Sequence, residues 1–333
     1  MTKSKANLLD SSLLRHQCLI AGEWQNAKDG KYLDVNNPAT GEMLGRVPSL
    51  GRQETSEAID AAYAALPQWR ERTAKDRAVI LRRWFDLMME HQEDLAAIMS
   101  AEQGKPIAEA KGEIAYAASF VEWFAEEGKR AYGDTIPTHQ NDRRLVTIKQ
   151  GVGVTAAITP WNFPAAMATR KAAPALAAGC TMVLKPASQT PFTALALGEL
   201  AQRAGIPAGV LNIVTGSPKE IAEELTQNSK VRKLSFTGST DVGRKLMAAC
   251  ANDIKNLSLE LGGNAPFIVF ADADIDAAVA GAVQAKFRNN GQTCVCANRI
   301  YVHDSVYMRF SELLCKAVSE LKVGVGTQEG VDL

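Results

Sequence analysis

A regular alternation of short apolar runs and longer amphipathic runs is the feature that most constrains the fold of this chain. Strand-like runs lie near 154–159, 181–185, 210–214, 231–236 and 257–261. Helix-like runs separate them and cover Ala165–Ala178, Phe192–Ala204, Lys219–Gln227 and Thr240–Ala251. This order is typical of βαβ units, so the sequence predicts an α/β fold with a mostly parallel sheet.

The residues with the most distinctive chemistry follow the ends of these strands. In chain order they are Pro160-Trp161-Asn162, Lys185, Gly216, Gly238-Ser239 and Glu260. Ligands bind beyond the carboxyl ends of the strands in open parallel sheets. The sequence therefore predicts that the functional site lies at one edge of this sheet.

The segments on either side of this region have less regular sequence patterns. The first part of the chain is expected to be helical, with a helix that begins after Thr73 and another from about Ile107 towards Gly128. Arg143 to Gln150 alternates polar and apolar residues, as an edge strand does. After Gly263 the predicted elements are a strand at Ala265–Phe270, a helix at Asp274–Arg288, a strand at Asn298–His303 and a helix at Ser305–Leu321.

Cys294 is the strongest candidate for a catalytic residue. It follows Asn-Asn-Gly-Gln-Thr in a polar loop, and Glu260 ends an apolar run upstream. A free thiol has a pKa near 8.5, so only about 3% is thiolate at neutral pH and a nucleophilic cysteine needs help from its surroundings. A thiol and a carboxylate beside a cofactor-type fold indicate covalent catalysis on a carbonyl, followed by hydrolysis.

Composition excludes several other classes of protein. The chain has 333 residues, enough for two domains, and Lys+Arg and Asp+Glu both total 37, so bulk charge indicates neither nucleic acid nor a membrane as a partner. Its six cysteines are spread too widely for a disulfide scaffold and fit a reducing, cytoplasmic location. Met1 to Gln17 has no signal-peptide core. The Cys294-x-Cys296 spacing does not predict zinc, and no metal is expected.

Three segments together resemble the aldehyde dehydrogenase superfamily. They are Thr159-Pro-Trp-Asn-Phe-Pro164, Leu259-Glu-Leu-Gly-Gly263 and the loop that carries Cys294, and they occur in the order of that family. Phe124-Ala-Glu-Glu-Gly128 and Lys185-Pro-Ala-Ser188 resemble the succinate-semialdehyde dehydrogenases in particular. The resemblance covers nearly the whole chain.

The resemblance implies a Rossmann-type parallel-sheet cofactor domain and a truncated α/β catalytic domain. Residues 1–137 and 151–262 would form the dinucleotide-binding domain, 138–150 a strand used in oligomerisation, and 263–333 the catalytic domain. The last third of a typical member is expected to be missing after Leu333, so this domain would be incomplete. The full-length form is expected to be a homodimer or homotetramer, and 138–150 as an ordinary edge strand is the alternative.

The resemblance also implies a mechanism. Cys294 would attack an aldehyde to form a thiohemiacetal, lose hydride to a nicotinamide and become a thioester, and Glu260 would deprotonate the water that releases the acid. The Asn162 amide and the Cys294 N–H would hold the oxyanion. The alternative role for Asn162 is the N-cap of the helix that follows it.

Cofactor residues follow from the same resemblance. They are Trp161, Lys185, Pro186, Ala187, Ser188, Gly216, Gly238, Ser239 and Leu261. Relatives that prefer NAD typically have Glu at the position of Ser188, and a serine there admits a 2′-phosphate that Lys185 attracts. NADP is therefore the predicted cofactor, with NAD as a second possibility.

By resemblance, Arg170 and Arg288 would bind the carboxylate of succinate semialdehyde, and glutarate semialdehyde is the alternative substrate. The alternative for both arginines is ordinary pairing on a helix surface. Cys296 is a candidate for a reversible disulfide with Cys294. Two other functions stay open: an inactive cofactor-binding fragment, and a thiol hydrolase that uses Cys294 with one of the four histidines, His16, His91, His139 and His303.

Overall fold

A computed structural model describes residues 8–333. Its α-helices are α1 Arg52–Glu71, α2 Ala74–Glu90, α3 Gln92–Gln103, α4 Ile107–Glu127, α5 Ala166–Ala177, α6 Phe192–Ala204, α7 Pro218–Gln227, α8 Thr240–Cys250, α9 Ile275–Phe287 and α10 Asp304–Ser319. Its strands are β1 Cys18–Ile20, β2 Glu23–Gln25, β3 Tyr32–Asn36, β4 Met43–Pro48, β5 Asp134–Ile136, β6 Leu145–Thr147, β7 Val154–Ile158, β8 Thr181–Lys185, β9 Leu211–Ile213, β10 Val231–Thr237, β11 Asn256–Glu260, β12 Ala265–Val269 and β13 Ala297–Val302.

The central sheet confirms the predicted α/β fold. Its seven strands run in the order β11-β10-β7-β8-β9-β1-β2, and the five strands from β7 to β11 are parallel to one another. The chain moves from β7 to β8 on one side and later to β10 on the other side of β7. A crevice between the loops after β7 and β10 is therefore expected at this switch in strand order.

Helices cover both faces of this sheet. In β8 the side chains of Met182 and Leu184 belong to one hydrophobic core, and Val183 belongs to a second core on the opposite face. Successive side chains of a strand point to opposite faces, so a strand buried on both faces reads as a continuous apolar run. This explains why β7 and β8, which are buried along nearly their whole length, could be located in the sequence.

The expectation that the first part of the chain is helical is wrong before residue 50. The short strands β1 to β4 occupy this region, and β1 joins the central sheet through the antiparallel pair Leu19 and Ile213. Strands of three to six residues are too short to show a clear period. Strand β1 is stabilised here by pairing with β9, almost 200 residues away in the chain, and β3 and β4 pair with each other.

The later N-terminal helices agree with prediction. The Thr73 hydroxyl accepts a hydrogen bond from the Asp76 N–H at 3.1 Å and so caps α2. Helix α4 ends next to Gly128, as expected, although Gly128 has right-handed backbone angles and leads into a turn of 3₁₀ helix. None of the helices described between residues 8 and 333 combines the length and apolarity that a membrane crossing needs.

A smaller unit follows the central sheet. Strands β12 and β13 are parallel, and α9 and α10 pack with them around a separate core that contains Val269, Val279 and Phe310. Strands β5 and β6 form an exposed hairpin, which begins at Asp134, before the predicted 138–150 segment. The Ile107 N–H donates to the Gly326 carbonyl at 2.9 Å, so the last residues contact the start of α4.

Candidate active site

A cavity of about 420 Å³ lies at the carboxyl ends of β7, β10 and β11 and is closed on one side by the Cys294 loop. The predicted residues that line it are Trp161, Asn162, Arg170, Gly238, Ser239, Glu260, Leu261, Arg288 and Cys294. Lys185, Pro186, Ala187, Ser188 and Gly216 are not part of its lining. The structure therefore brings together the candidate nucleophile, the amide, the carboxylate and both arginines.

Three left-handed residues carry the chain from α9 into the Cys294 loop. Asn289, Asn290 and Gly291 have φ values of 54°, 56° and 73°. Asparagine and glycine tolerate this region better than other residues, which explains the Asn-Asn-Gly sequence. Cys294 is exposed in the turn that follows, and its N–H makes no hydrogen bond with any described residue. That N–H is free to donate to an oxyanion.

Asn162 lies in the loop between β7 and α5. Its side-chain Nδ2 donates to the Gln292 carbonyl at 2.7 Å. An amide nitrogen carries two hydrogens, so one orients the group against the Cys294 loop and the second can face the cavity.

The alternative role of Asn162 as an N-cap is wrong. Helix α5 begins at Ala166, and the N–H groups of Ala165 and Ala166 donate to Glu113 Oε1 at 3.0 and 3.1 Å. A carboxylate from α4 therefore satisfies the start of the helix.

Glu260 ends β11 beside the same cavity. Its carbonyl accepts a hydrogen bond from the Gly238 N–H at 3.1 Å, which connects it to the loop before α8. A Cβ atom on Gly263 would lie 2.3 Å from the Cys294 carbonyl oxygen. The Glu-Leu-Gly-Gly segment therefore needs glycine at that position because its backbone approaches the Cys294 loop so closely.

The two candidate arginines are in different electrostatic settings. Arg170 Nη2 donates to Glu260 Oε1 at 3.2 Å, and the two side chains are 42% and 52% exposed. Arg288 is exposed, and its guanidinium carbon lies 5.6 Å from the centre of the Phe163 ring. It forms no hydrogen bond or ion pair with a described residue. Neither arginine makes the pairing along its own helix that the alternative interpretation expected.

The predicted cofactor residues near β8 and α8 offer donors that fit a dinucleotide. The Lys185 side chain is buried, its Nζ donates to the Pro186 carbonyl at 3.1 Å, and burial lowers its pKa to about 8. Two of the three ammonium hydrogens are left for a ligand. Ser188 is half-buried in the turn that follows. Ser239 caps α8, whose exposed first turn presents N–H groups that suit a pyrophosphate.

Gly216 has a packing reason for being glycine. It has a φ of 141°, and a Cβ atom there would lie 2.2 Å from the Leu50 carbonyl oxygen. The two residues form an isolated β-bridge.

Cys296 is buried and its Sγ donates to the Lys286 carbonyl at 3.0 Å. A disulfide with Cys294 would require this contact to break, and the redox role stays a prediction. Among the described residues that line the cavity there is no histidine, so a Cys-His hydrolase gains no support. The described residues also contain no group of three or more potential metal ligands.

Sequence reasoning missed the residues that support the site from behind. Lys105 donates to the Asn162 carbonyl at 2.9 Å, and Asn289 Nδ2 donates to the same oxygen at 3.0 Å. Glu109 accepts from the Asn289 N–H at 2.8 Å. The segment Gly104-Lys-Pro106 was the available signal, since a glycine and a proline fix the path of the chain around that lysine.

Comparisons with known proteins agree with this geometry. Residues 24–333 match the model of the aldehyde dehydrogenase family. The chain is 70% identical to the succinate-semialdehyde dehydrogenase [NADP(+)] GabD of Escherichia coli K12, over 98% of this chain and 68% of that protein. It is 69% identical to a glutarate-semialdehyde dehydrogenase of Pseudomonas putida, over 97% of this chain and 67% of that protein.

Solved structures give the same result for the fold. The chain superposes on an NADP-dependent enzyme of E. coli with a TM-score of 0.97 and 69% identity, over 98% of this chain and 68% of that one. It also superposes on a succinate-semialdehyde dehydrogenase of Burkholderia pseudomallei with a TM-score of 0.97 and 63% identity, over the same shares of the two chains.

Proposed function

The chain belongs to the aldehyde dehydrogenase family, and from this premise we propose that it oxidises succinate semialdehyde to succinate with NADP. NAD is the weaker alternative cofactor. The observation that carries the proposal is that Cys294, Asn162 and Glu260 line the same cavity as two arginines. The names of the relatives support both the substrate and the cofactor.

The residues of this chain divide the chemistry between them. Cys294 Sγ forms a bond to the aldehyde carbon, and the carbonyl oxygen becomes an oxyanion that the Asn162 amide and the Cys294 N–H stabilise. Bound NADP supplies an acceptor for the hydride that leaves this carbon. The carbon then remains on Cys294 as a thioester. Glu260 takes a proton from a water molecule, the water attacks the thioester, and the acid leaves as the thiolate is restored.

We assign the distal carboxylate of the substrate to Arg288 and Arg170. Arg288 has no acidic partner among the described residues, so it can pair with a substrate carboxylate without breaking an ion pair. Arg170 already pairs with Glu260 at 3.2 Å, so it would contact both the substrate and the proposed base. A charge-assisted bond contributes about 1.5–3 kcal/mol, enough to favour a semialdehyde with a terminal carboxylate over a neutral aldehyde.

Glutarate semialdehyde is the second candidate substrate, because two similar proteins, from P. putida and P. aeruginosa, are named glutarate-semialdehyde dehydrogenases. It is one methylene longer, and one methylene changes discrimination by only about 1–3 kcal/mol. Both substrates therefore belong in the same assay.

The organisation of the protein is part of the proposal. Residues 1–137 and 151–262 would bind the dinucleotide, and 263–333 would contribute to the catalytic domain, which the separate core around β12 and β13 supports. The exposed hairpin that overlaps 138–150 supports a homodimer or homotetramer built through this segment. Six free cysteines and a thiol nucleophile support a location in the reducing cytoplasm.

Formation of NADPH from succinate semialdehyde and NADP, followed by absorbance, tests the function. Cys294→Ser should abolish turnover. Glu260→Gln should still give a first burst of NADPH and then stop, because acylation survives and release of the acid does not. NADP binding without turnover would favour the inactive-fragment alternative. A Cys294→Ser variant with wild-type turnover would refute the proposal.

A further inference from the structure

An ion pair that is almost wholly buried lies directly behind the Asn162 loop. Lys105 Nζ donates to Glu113 Oε2, and the two side chains are only 1% and 2% exposed. Burying two charges is costly, and a well-packed apolar pair is often at least as stable. Fold stability alone is therefore a weak explanation for this pair, and its contacts indicate a second role.

The ammonium group of Lys105 has three partners that match its three hydrogens. Besides Glu113, it donates to the Asn162 carbonyl at 2.9 Å and lies 4.5 Å from the centre of the Phe163 ring. A cation over an aromatic face is attracted by the ring, so all three contacts of the ammonium group are favourable. The lysine therefore holds two consecutive residues of the β7–α5 loop.

The carboxylate of Glu113 holds the other end of the same loop. Its Oε1 accepts from the N–H groups of Ala165 and Ala166, as described above. One buried ion pair thus fixes the chain on both sides of Pro164, from the amide-bearing residue to the first turn of α5.

The Asn162 carbonyl has a second donor. Asn289 Nδ2 donates to it at 3.0 Å and also to the Gln292 carbonyl at 3.2 Å. Two donors on one carbonyl oxygen fix the plane of that peptide group. The Asn162 side chain therefore leaves from a fixed backbone, and its own bond to the Gln292 carbonyl at 2.7 Å then sets the direction of the amide.

We propose that Lys105, held by Glu113, is a positioning residue for the oxyanion site. It fixes the backbone of Asn162 so that the side-chain amide already points at the oxygen that becomes negative when Cys294 attacks. The proposal rests on the proposed function of Cys294 and Asn162. Its physical basis is that donors stabilise a transition state best when they need not reorganise, and a shift of about 1 Å can cost about 100-fold in rate.

Two reagents separate this role from general damage to the fold. 4-Nitrophenyl acetate acylates a thiolate through a tetrahedral oxyanion: the sulfur bonds to the acetyl carbon and 4-nitrophenolate leaves. Iodoacetamide alkylates the same thiolate by displacing iodide, and no oxyanion forms. Neither reaction needs a nucleotide or an aldehyde. The ratio of the two rates at Cys294 therefore reports on the oxyanion site alone.

We expect Lys105→Met to slow acylation by about 10- to 100-fold and to leave alkylation little changed. Lys255→Met is the matched control, because Lys255 is also a buried lysine, and its Nζ donates to the Asn228 carbonyl at 2.8 Å and the Val231 carbonyl at 3.0 Å, apart from the cavity lining. This control should keep the wild-type ratio even if it lowers the melting temperature.

A second pair of variants covers the case in which Lys105→Met does not fold. Asn289→Gly removes the other donor to the Asn162 carbonyl without strain, because glycine accepts the left-handed φ of 54°. Asn290→Gly is its control, since Asn290 has a φ of 56° and no hydrogen bond to Asn162. Only Asn289→Gly should lower the ratio of acylation to alkylation.

A double variant tests whether Lys105 affects acylation through Asn162. If Lys105 acts through Asn162, Lys105→Met should cost nothing further in an Asn162→Ala background. The proposal is overturned if Lys105→Met or Asn289→Gly slows both reagents equally, if neither variant changes the ratio, or if the losses from Lys105→Met and Asn162→Ala multiply. Failure of the proposed function has a different signature: Cys294→Ala would then react with both reagents as fast as wild type.

Discussion

Replacement of Arg288 by alanine tests how the cavity selects its substrate. The guanidinium faces the cavity, contacts the Phe163 ring and has no acidic partner among the described residues. Its removal therefore leaves no carboxylate unpaired, which is the usual complication of deleting a charge. Any loss of activity should come from the missing contact with the substrate.

The structure sets the size of the expected effect. A hydrogen bond to a charged group contributes about 1.5–3 kcal/mol, which corresponds to about 10- to 150-fold in kcat/KM. Arg288 is exposed, and water screens its charge. We therefore expect the low end of this range, about tenfold, and a smaller loss at high ionic strength.

Arg170 provides a contrast because it is paired with Glu260. An exposed ion pair contributes about 0.2–1 kcal/mol, so release of Glu260 should change the hydrolysis step by no more than about fivefold. A larger loss in Arg170→Ala would report on a missing substrate contact. The same variant should also change the rate of acid release measured after a single acylation, whereas Arg288→Ala should not.

The assay compares kcat/KM for succinate semialdehyde and butanal, which has the same number of carbons and no carboxylate, at saturating NADP. Arg288→Ala should lower the first value and barely change the second. Arg309→Ala is the control, because Arg309 lies on α10 and pairs with Asp276, away from the cavity. Equal losses for the two aldehydes in Arg288→Ala would refute the reasoning.

Three further predictions concern the cofactor and the second thiol. Ser188→Glu should shift preference from NADP to NAD, whereas Gln189→Glu adds the same charge one residue away and should not; nucleotide titrations compare them. Burial lowers the pKa of Lys185 to about 8, so the lysine is a cation below that pH and neutral above it, and Kd for NADP should rise more than Kd for NAD above pH 8. Reductant should reactivate peroxide-treated wild type better than Cys296→Ala, and equal recovery would exclude a Cys294 disulfide.

The five parallel strands of the central sheet and the helices between them could be predicted because each carries its own local signal. The buried strands are continuous apolar runs, and the helices between them begin at recognisable caps such as Ser217 and Ser239. Strands β1 and β2 carry no such signal. Their three-residue segments become strands only because β9 offers a free edge, and that edge exists only after the sheet has formed.

The place of Asn162 and Glu260 at one site could be predicted for a topological reason. The carboxyl ends of parallel strands meet at one edge, so Asn162 after β7 and Glu260 at the end of β11 lie at the same edge of the sheet. The pair of Lys105 and Glu113 could not be predicted in the same way. A lysine and a glutamate eight residues apart, near the start of a helix, are typical of a solvated surface. They are buried because α4 packs against α5, and a single sequence does not reveal that contact.

The two roles that the sequence left open for Asn162 show where local reasoning ends. A small polar residue between a strand and a helix suits an N-cap and an oxyanion donor equally well. The choice depends on Glu113, which satisfies the first N–H groups of α5 from another helix. Because that carboxylate takes over the capping, both hydrogens of the Asn162 amide are available, one for the Gln292 carbonyl and one for the cavity. A residue 49 positions away in the chain thus leaves the amide available for the proposed oxyanion role.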